Sequence, residues 1–390
     1  MRVLYIATSA YPGDNPYATR IHGICQALQK TGVSTDVLTD YSNLDIGSFE
    51  YQGSSVHVGA KHCYKDRTVV DKILASVRMY NNLRKILKRT HYDCVIVSSM
   101  YIRIKKIMKI IKDFHLPIIL ESCEWFEAYN WRKGEKSFLY KQYVKAWNES
   151  FVKVDGVIAI SRLLENHYRE FVPNVIRIPT IMKVQEKYNN LSENAPVKLI
   201  FTGSIEWGKD RLVEVINAID LIREEKRKIE LHIYGPTKES VVSQLGSESI
   251  LNRNKDRIFI HGRISHEDVV ERCKESDFGV ILRPNRRQSN AGFPTKLAEY
   301  MSAGASVIAN DTGDIGLYIQ NGMNGFLLPV DYTVDRLKEI LTDIIDMGHE
   351  SVIQMKKNAY ETACKSFNYI SYSDVLRSFI ENVIVQHKNL

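Results

Sequence analysis

Nowhere does the sequence hold about 18 consecutive apolar residues, so no segment suits a membrane-spanning helix. Cysteine motifs are missing as well. Cys25, Cys63, Cys94, Cys123, Cys273 and Cys364 are scattered, and no two form a C-x-x-C pair. That spacing argues against a metal site. It fits reduced, buried thiols in a cytosolic protein. Zinc-finger spacing and RNA-recognition signatures are absent, so nucleic acid is not an expected partner. Low-complexity tracts are absent too. With 44% hydrophobic and 25% charged residues, the chain is neither disordered nor collagen- or mucin-like. The apolar stretch at Met1–Thr8 is too short for a signal peptide, and Pro12-Gly13-Asp14-Asn15-Pro16 follows it. It reads as a first buried strand.

What is present is a core-forming chain of 390 residues, long enough for two domains. Lys and Arg number 53 against 46 acids, a net charge of +7 that favours anionic ligands or an anionic membrane surface. In the first half, short apolar runs such as Arg2–Thr8, Asp93–Ser98, Pro117–Glu121 and Gly156–Ser161 alternate with helical patterns. These patterns include Tyr17–Gln29, Val69–Lys88, Ile102–Lys112 and Trp131–Lys153. The alternation breaks in a polar stretch at 183–195 and resumes from Val197 to Met347, before a last helix near Ser371–Val385. The expectation is an α/β chain of two doubly wound domains: 1–182, a linker at 183–195, 196–370, and a terminal helix at 371–390. Ligands of such sheets sit at the carboxyl ends of the strands.

Two constellations follow strands of the second half. After the run ending at Leu282 comes a basic loop with Arg283, Arg286 and Arg287, read as irregular. Gly292-Phe293-Pro294 then opens a helix that Gly304 ends. Free N–H groups near Pro294–Leu297, with Thr295 and Lys296, suit an anion. Glu299, one turn on, is an acceptor suited to ribose hydroxyls. A capped helix with a Lys–Glu surface pair accounts for the same pattern. The second constellation is Phe201-Thr202-Gly203-Ser204-Ile205-Glu206-Trp207-Gly208-Lys209-Asp210. Gly203 and Gly208 admit close backbone approach to a ligand, and Lys209 can reach a phosphate. A plain strand-to-helix turn with a solvated lysine is the alternative.

The stretches FTGSIEWGKDRLVEVINAI, IELHIYGP, IFIHGRISHEDVVERCKESDFGVILRP, GFPTKLAEYMSAGASVIA and NGMNGFLLP, in this order, resemble family 4 retaining glycosyltransferases. The resemblance is strongest from Val197 to Pro329. It implies the GT-B fold, two facing Rossmann-like domains with a C-terminal helix returning to the first. It also implies a nucleotide-sugar donor bound mainly by the second domain and a glycan or lipid-linked acceptor bound by the first. Lys209 matches the lysine that contacts the donor diphosphate, and Ser204 stands where a companion arginine is usual. Glu299 matches the second glutamate of the Glu-x7-Glu signature, and Ala291 stands at the first. Gly292 and Phe293 match the backbone segment under the phosphates, and Asn290 and Arg283 complete the expected donor set. FPTKLAEYM resembles a subgroup from bacterial polysaccharide assembly. No Asp-x-Asp motif is present, so neither an obligatory metal nor a cofactor is expected.

For catalysis the first half offers Arg20, which matches a frequent family arginine, and Glu121 and Glu124 beyond the strand Pro117–Glu121. Each can equally be structural, and nothing selects among His22, His57 and His91. Ile102–Lys112 carries Ile104, Ile107, Met108 and Ile111 inside a ring of lysines. It suits either an anionic leaflet or a helix packed on the sheet with a solvated basic face. The stripe Tyr140, Tyr143, Trp147 and Phe151 reads as core before sugar platform. The expected protein is a cytoplasmic glycosyltransferase, peripheral on the inner membrane face if the basic helix meets lipid. The competing readings are an epimerase of the same fold and a non-catalytic sugar-nucleotide-binding paralogue.

Overall fold

The computed structural model describes the chain apart from residues 8, 43–46, 60–68, 100–101, 185–194, 206–207, 223–228 and 390, with backbone alone for 69–73. Cys63, Glu206, Trp207 and most of the stretch expected as a linker lie outside the described residues. The chain forms two compact units. Unit 1 is Met1–Met182 with Tyr369–Leu390, and unit 2 is Lys183–Asn368.

Unit 1 begins β1 (Arg2–Ile6), α1 (Pro16–Lys30), β2 (Ser34–Thr39), β3 (Ser48–Tyr51), β4 (Ser54–Val58) and α2 (Val69–Arg89). It continues β5 (Cys94–Ser98), α3 (Ile104–Lys112), β6 (Ile118–Ser122), α4 (Phe138–Glu149), β7 (Gly156–Ala159), α5 (Arg162–Arg169) and β8 (Val175–Arg177). Its sheet runs β3-β4-β2-β1-β5-β6-β7-β8. The central strands are buried on both faces, which is why they read as unbroken apolar runs. Strand β3 is antiparallel to β4. The Gln52-Gly53 turn between them has φ of 45° and 81° at its two residues, the left-handed pair that a two-residue hairpin turn requires.

Unit 2 comprises β9 (Val197–Thr202), α6 (Leu212–Asp220), β10 (Ile229–Tyr234), α7 (Lys238–Leu245), α8 (Ser249–Arg253), β11 (Ile258–Gly262) and α9 (His266–Lys274). Then come β12 (Phe278–Ile281), α10 (Arg287–Ala291), α11 (Thr295–Ser302), β13 (Ser306–Asn310), β14 (Gly325–Leu328), α12 (Val334–Asp346) and α13 (His349–Ser366). Its parallel sheet runs β11-β10-β9-β12-β13-β14. Leu199, Phe201, Leu231, Ile233, Phe278 and Val280 pack there with Ile216, Leu341 and Ile344.

The last helix, α14 (Ser373–Lys388), belongs to unit 1. Leu376, Phe379, Ile380 and Val383 join Ile21, Ile24 and Leu28 of α1 in one core. The Arg377 guanidinium donates to the Thr31 carbonyl at 2.7 Å. Around this frame the amphipathic stretches settle. In α3 the residues Ile104, Ile107, Met108, Ile110 and Ile111 are buried. Lys105, Lys106, Lys109 and Lys112 are exposed. The apolar stripe is thus spent on the unit's own core and is not a lipid-inserting face. In α4, Tyr143 and Trp147 are buried, and Phe151 beyond it is buried too, as core. Trp147 stacks on Trp125, centroids 4.6 Å apart.

Candidate functional site

The candidate donor residues of unit 2 gather at the carboxyl end of its sheet. The chain leaves β9 through Gly203 at φ 113°. The Gly203 N–H donates to the Tyr234 carbonyl at 3.0 Å, and the Gly235 N–H to the Gly262 carbonyl at 2.7 Å. A Cβ on Gly235 would stand 2.1 Å from the Gly203 oxygen. Three glycines thus lie edge to edge at the ends of β9, β10 and β11, with peptide groups and no side chains between them. The Arg211 N–H donates to the Leu282 carbonyl at 2.8 Å, tying the far end of this loop to β12.

Helix α11 is fixed beneath that loop by Tyr300. Its ring is fully buried against Gly279, where a Cβ would be 2.0 Å from the ring. Its hydroxyl accepts from the Thr202 N–H at 2.9 Å. One turn earlier, Lys296 lies over the Phe201 ring, its Nζ 4.3 Å from the centroid, and pairs with Asp210 at 2.7 Å. Side-chain exposure is 16% for Lys296 and 10% for Asp210, so the pair is largely withdrawn from water. Lys209 and Ser204 are exposed on the same loop. Asp210 was not singled out from the sequence. It stands directly after Lys209, and that adjacency was its only signal.

The stretch expected as a loop after β12 contains helix α10. The Arg283 side chain donates to the Ser289 carbonyl at 3.1 Å, near the end of α10. The Arg283 N–H and C=O are clamped by the Asn310 amide, both at 2.8 Å. Asn290 donates to Asn285 at 2.9 Å and accepts from the Gly313 N–H at 2.9 Å, where Gly313 has φ 63°. Arg283 and Asn290 therefore shape this wall through bonds to the protein. Asn310 and Gly313, which hold them, were not legible beforehand. Ala291 is fully buried. Phe293 turns inward, edge-on to Tyr318 at 5.6 Å, while Gly292 carries the backbone to Pro294, which precedes the first helical residue, Thr295. Glu299 faces α9. Burial pushes its carboxyl above the usual 4.5, and His266 and Lys296 pull it back.

In unit 1, Arg20 of α1 and Glu121 of β6 form a buried ion pair, with side-chain exposures of 2% and 3%. The Arg20 guanidinium also donates to the carbonyls of Ile178 and Pro179, at 2.9 and 2.7 Å. Burial opposes its charge, and Cys123 and Glu121 more than offset that, so it stays protonated. The pair thus joins α1 to β6 and to the segment after β8. Glu124 is half-buried just beyond. The three histidines do not converge. His22 meets Tyr11 at 3.3 Å, His57 meets Ser48 at 2.8 Å, and His91 is exposed.

Residues 182–362 match the family described as Glycosyl transferases group 1. No curated protein matches the chain in sequence. Solved structures share its fold along nearly the whole length. Sucrose-phosphate synthase (tll1590) from Thermosynechococcus elongatus superposes with a TM-score of 0.76 at 14% identity, covering 99% of each chain. The lipopolysaccharide outer core galactosyltransferase WaaB, in its apo form, gives 0.65 at 15% identity over 98% of this chain and 99% of that one. Anabaena Alr3699/HepE in complex with UDP and glucose gives 0.70 at 14% identity over 98% and 100%. Likenesses at such identities establish the fold, which is GT-B.

Proposed function

For a chain whose residues 182–362 match the group 1 glycosyl transferase family, we propose that it moves a sugar from a nucleotide-sugar donor to a glycan or lipid-linked acceptor in cell-surface polysaccharide assembly. The observation that carries the reading is the junction of the glycine loop after β9 with α11, where Lys296 meets Asp210 beside the exposed Lys209. Backbone donors, two ammonium groups and a helix N-terminus can neutralise a leaving diphosphate, the charge that develops in glycosyl transfer. Glu299 serves the ribose end. With Ala291 buried, the sugar end depends on other groups, and Arg286 and Arg287 on the same wall are the nearest choice in sequence. Unit 1 takes the acceptor, with Glu124 its candidate polar contact. Retention at the anomeric carbon and independence from metal belong to this reading.

The test is a binding screen of nucleotide-sugars with hydrolysis followed with and without acceptor. Uridine nucleotides come first, because HepE of the same fold was solved with UDP and with UDP-glucose. Release of nucleoside diphosphate that depends on added acceptor supports the transferase. Epimerised donor without acceptor replaces it with the epimerase, and binding without turnover replaces it with a non-catalytic binding protein.

A further inference from the structure

Away from the donor loop, one face of unit 2 carries polar and aromatic side chains where its opposite face is core. Val197, Leu199, Ile229, Leu231 and Ile233 point into the apolar cluster. By strand alternation Lys198, Glu230, His232 and Tyr234 point the other way. On that side, beneath α9, lies a cavity of about 550 Å³ lined by Lys198, His232, Tyr234, His261, Asp268 and Arg272 among others.

The register of β11 on β10 shifts here. Ile233 pairs with Ile260, but Tyr234 pairs with Gly262, so His261 is an extra residue in the ladder. Bulges re-aim side chains, and they are uncommon between parallel strands. This one sets the His261 ring between its neighbours. It stacks on Tyr234 at 4.5 Å and 11°, and lies parallel to His232 at 5.3 Å and 6°.

The hydrogen bonds assign the protons. A carboxylate only accepts, so His232 Nε2–H donates to Glu230 Oε2 at 3.2 Å. The bare His232 Nδ1 then accepts from His261 Nε2–H at 3.0 Å. This leaves His261 Nδ1 as the basic end of a Glu230–His232–His261 relay. The carboxylates around the cavity have partners. Glu230 holds His232, Glu275 holds Arg272 at 2.5 Å, and Asp268 accepts from Ser265 at 2.7 Å. The Lys198 ammonium and the Tyr234 hydroxyl make no hydrogen bond among the described residues.

We propose that this cavity is a second ligand site, for a small oxyanion such as a phosphate group, received by Lys198, Tyr234 and Arg272 and drawn in by protonation of the His261 end of the relay. The unspent groups are donors, and a proton on His261 Nδ1 adds a charge and a further N–H. Burial, His232 and Arg272 together hold His261 below its usual 6.5. A bound anion counters the last two, so occupancy raises that value and affinity grows as pH falls. The cavity meets the donor loop at one residue, since the carbonyl of Tyr234 holds Gly203.

The test follows the Hε1 resonances of His232 and His261 in the intact protein, assigned with His232→Gln and His261→Gln. The probe is inorganic phosphate, against chloride at equal ionic strength, from pH 5 to 8. Phosphate should raise the His261 midpoint by about half a unit or more, a threefold change in proton affinity, and the effect should saturate. Lys198→Met and Arg272→Gln should each weaken the apparent phosphate affinity at least about fivefold, while Lys209→Ala leaves it within about twofold. Acetate giving the same shift keeps the site and assigns it to carboxylates. Equal midpoints in phosphate and chloride, or a phosphate effect that survives both cavity variants, overturn the proposal.

Discussion

Lys296 is both a candidate phosphate contact and one half of an ion pair, and this dual role gives a prediction with two signs. At 2.7 Å from Asp210 and largely withdrawn from water, its ammonium is already engaged. A diphosphate must share or displace that partner. A hydrogen bond to a charged group contributes about 1.5–3 kcal/mol, so Lys296→Ala should weaken binding of the nucleoside diphosphate roughly 10- to 100-fold. It also strands the Asp210 carboxylate near the ligand, which pushes the loss toward the upper end. Asp210→Asn does the reverse, freeing the ammonium and removing a negative charge. It should tighten binding by about threefold or more while lowering thermal stability, because one partner of a largely buried pair is gone. Joined in Lys296→Ala/Asp210→Asn, the two should be strongly non-additive, with the second change recovering part of the loss. Calorimetry on the four proteins, with unfolding curves for each, reads both quantities. A Lys296→Ala constant within about twofold of the parent refutes the phosphate role. An Asp210→Asn constant weakened as much as that of Lys296→Ala shows instead that Asp210 holds the ligand.

Gly279→Ala places a methyl 2.0 Å from the buried Tyr300 ring. It should cost about 1–3 kcal/mol of stability in denaturant unfolding, and a variant as stable as the parent would show that α11 can shift. Glu299→Ala should weaken nucleoside diphosphate binding about tenfold if the carboxylate holds ribose, and calorimetry with no change returns Glu299 to the helix surface. Glu299 also titrates with a definite sign. Its raised value in the folded protein means that stability contributed below the usual 4.5 is lost as pH rises through the higher value. Glu299→Gln should therefore exceed the parent in melting temperature at pH 8, with the advantage gone near pH 4. Finally, the exposed Lys105, Lys106 and Lys109 should bind anionic vesicles only through charge. Any sedimentation with vesicles should vanish as salt shortens screening to about 8 Å and in the triple Gln variant, and binding that resists salt would show apolar insertion.

Unit 2's order of strands was legible because buried parallel strands are written as apolar runs with helices between them. Strand β9 begins at Val197, where the alternation was expected to resume. Unit 1's β3–β4 hairpin was not, since its strands are short and polar and the turn lacks the Asn-Gly or Asp-Gly signal. Helix α10 escaped for a related reason. Arg287–Ala291 has no apolar periodicity, and the backbone before it is held at Arg283 by Asn310, which lies 27 positions away. Arg20 and Glu121 stood out as charges beside strand ends, but their mutual pairing spans 101 positions, a distance that composition and spacing do not encode. Lys209, Lys296 and Glu299 drew attention because they stand at glycine turns and a helix start, and the donor roles given to Lys209 and Glu299 came from the resemblance.

The return of α14 to unit 1 bears on how the protein is made. Unit 2 is one uninterrupted stretch, and unit 1 is two, the second translated after all of unit 2. On the ribosome, unit 2 can therefore close first, although its sequence comes second. The part of the unit 1 core that takes Leu376, Phe379, Ile380 and Val383 stays open until α14 has been made. For that interval the core shared with α14 is apolar surface in water, the stretch a chaperone would grip and a stop codon ahead of α14 would leave exposed.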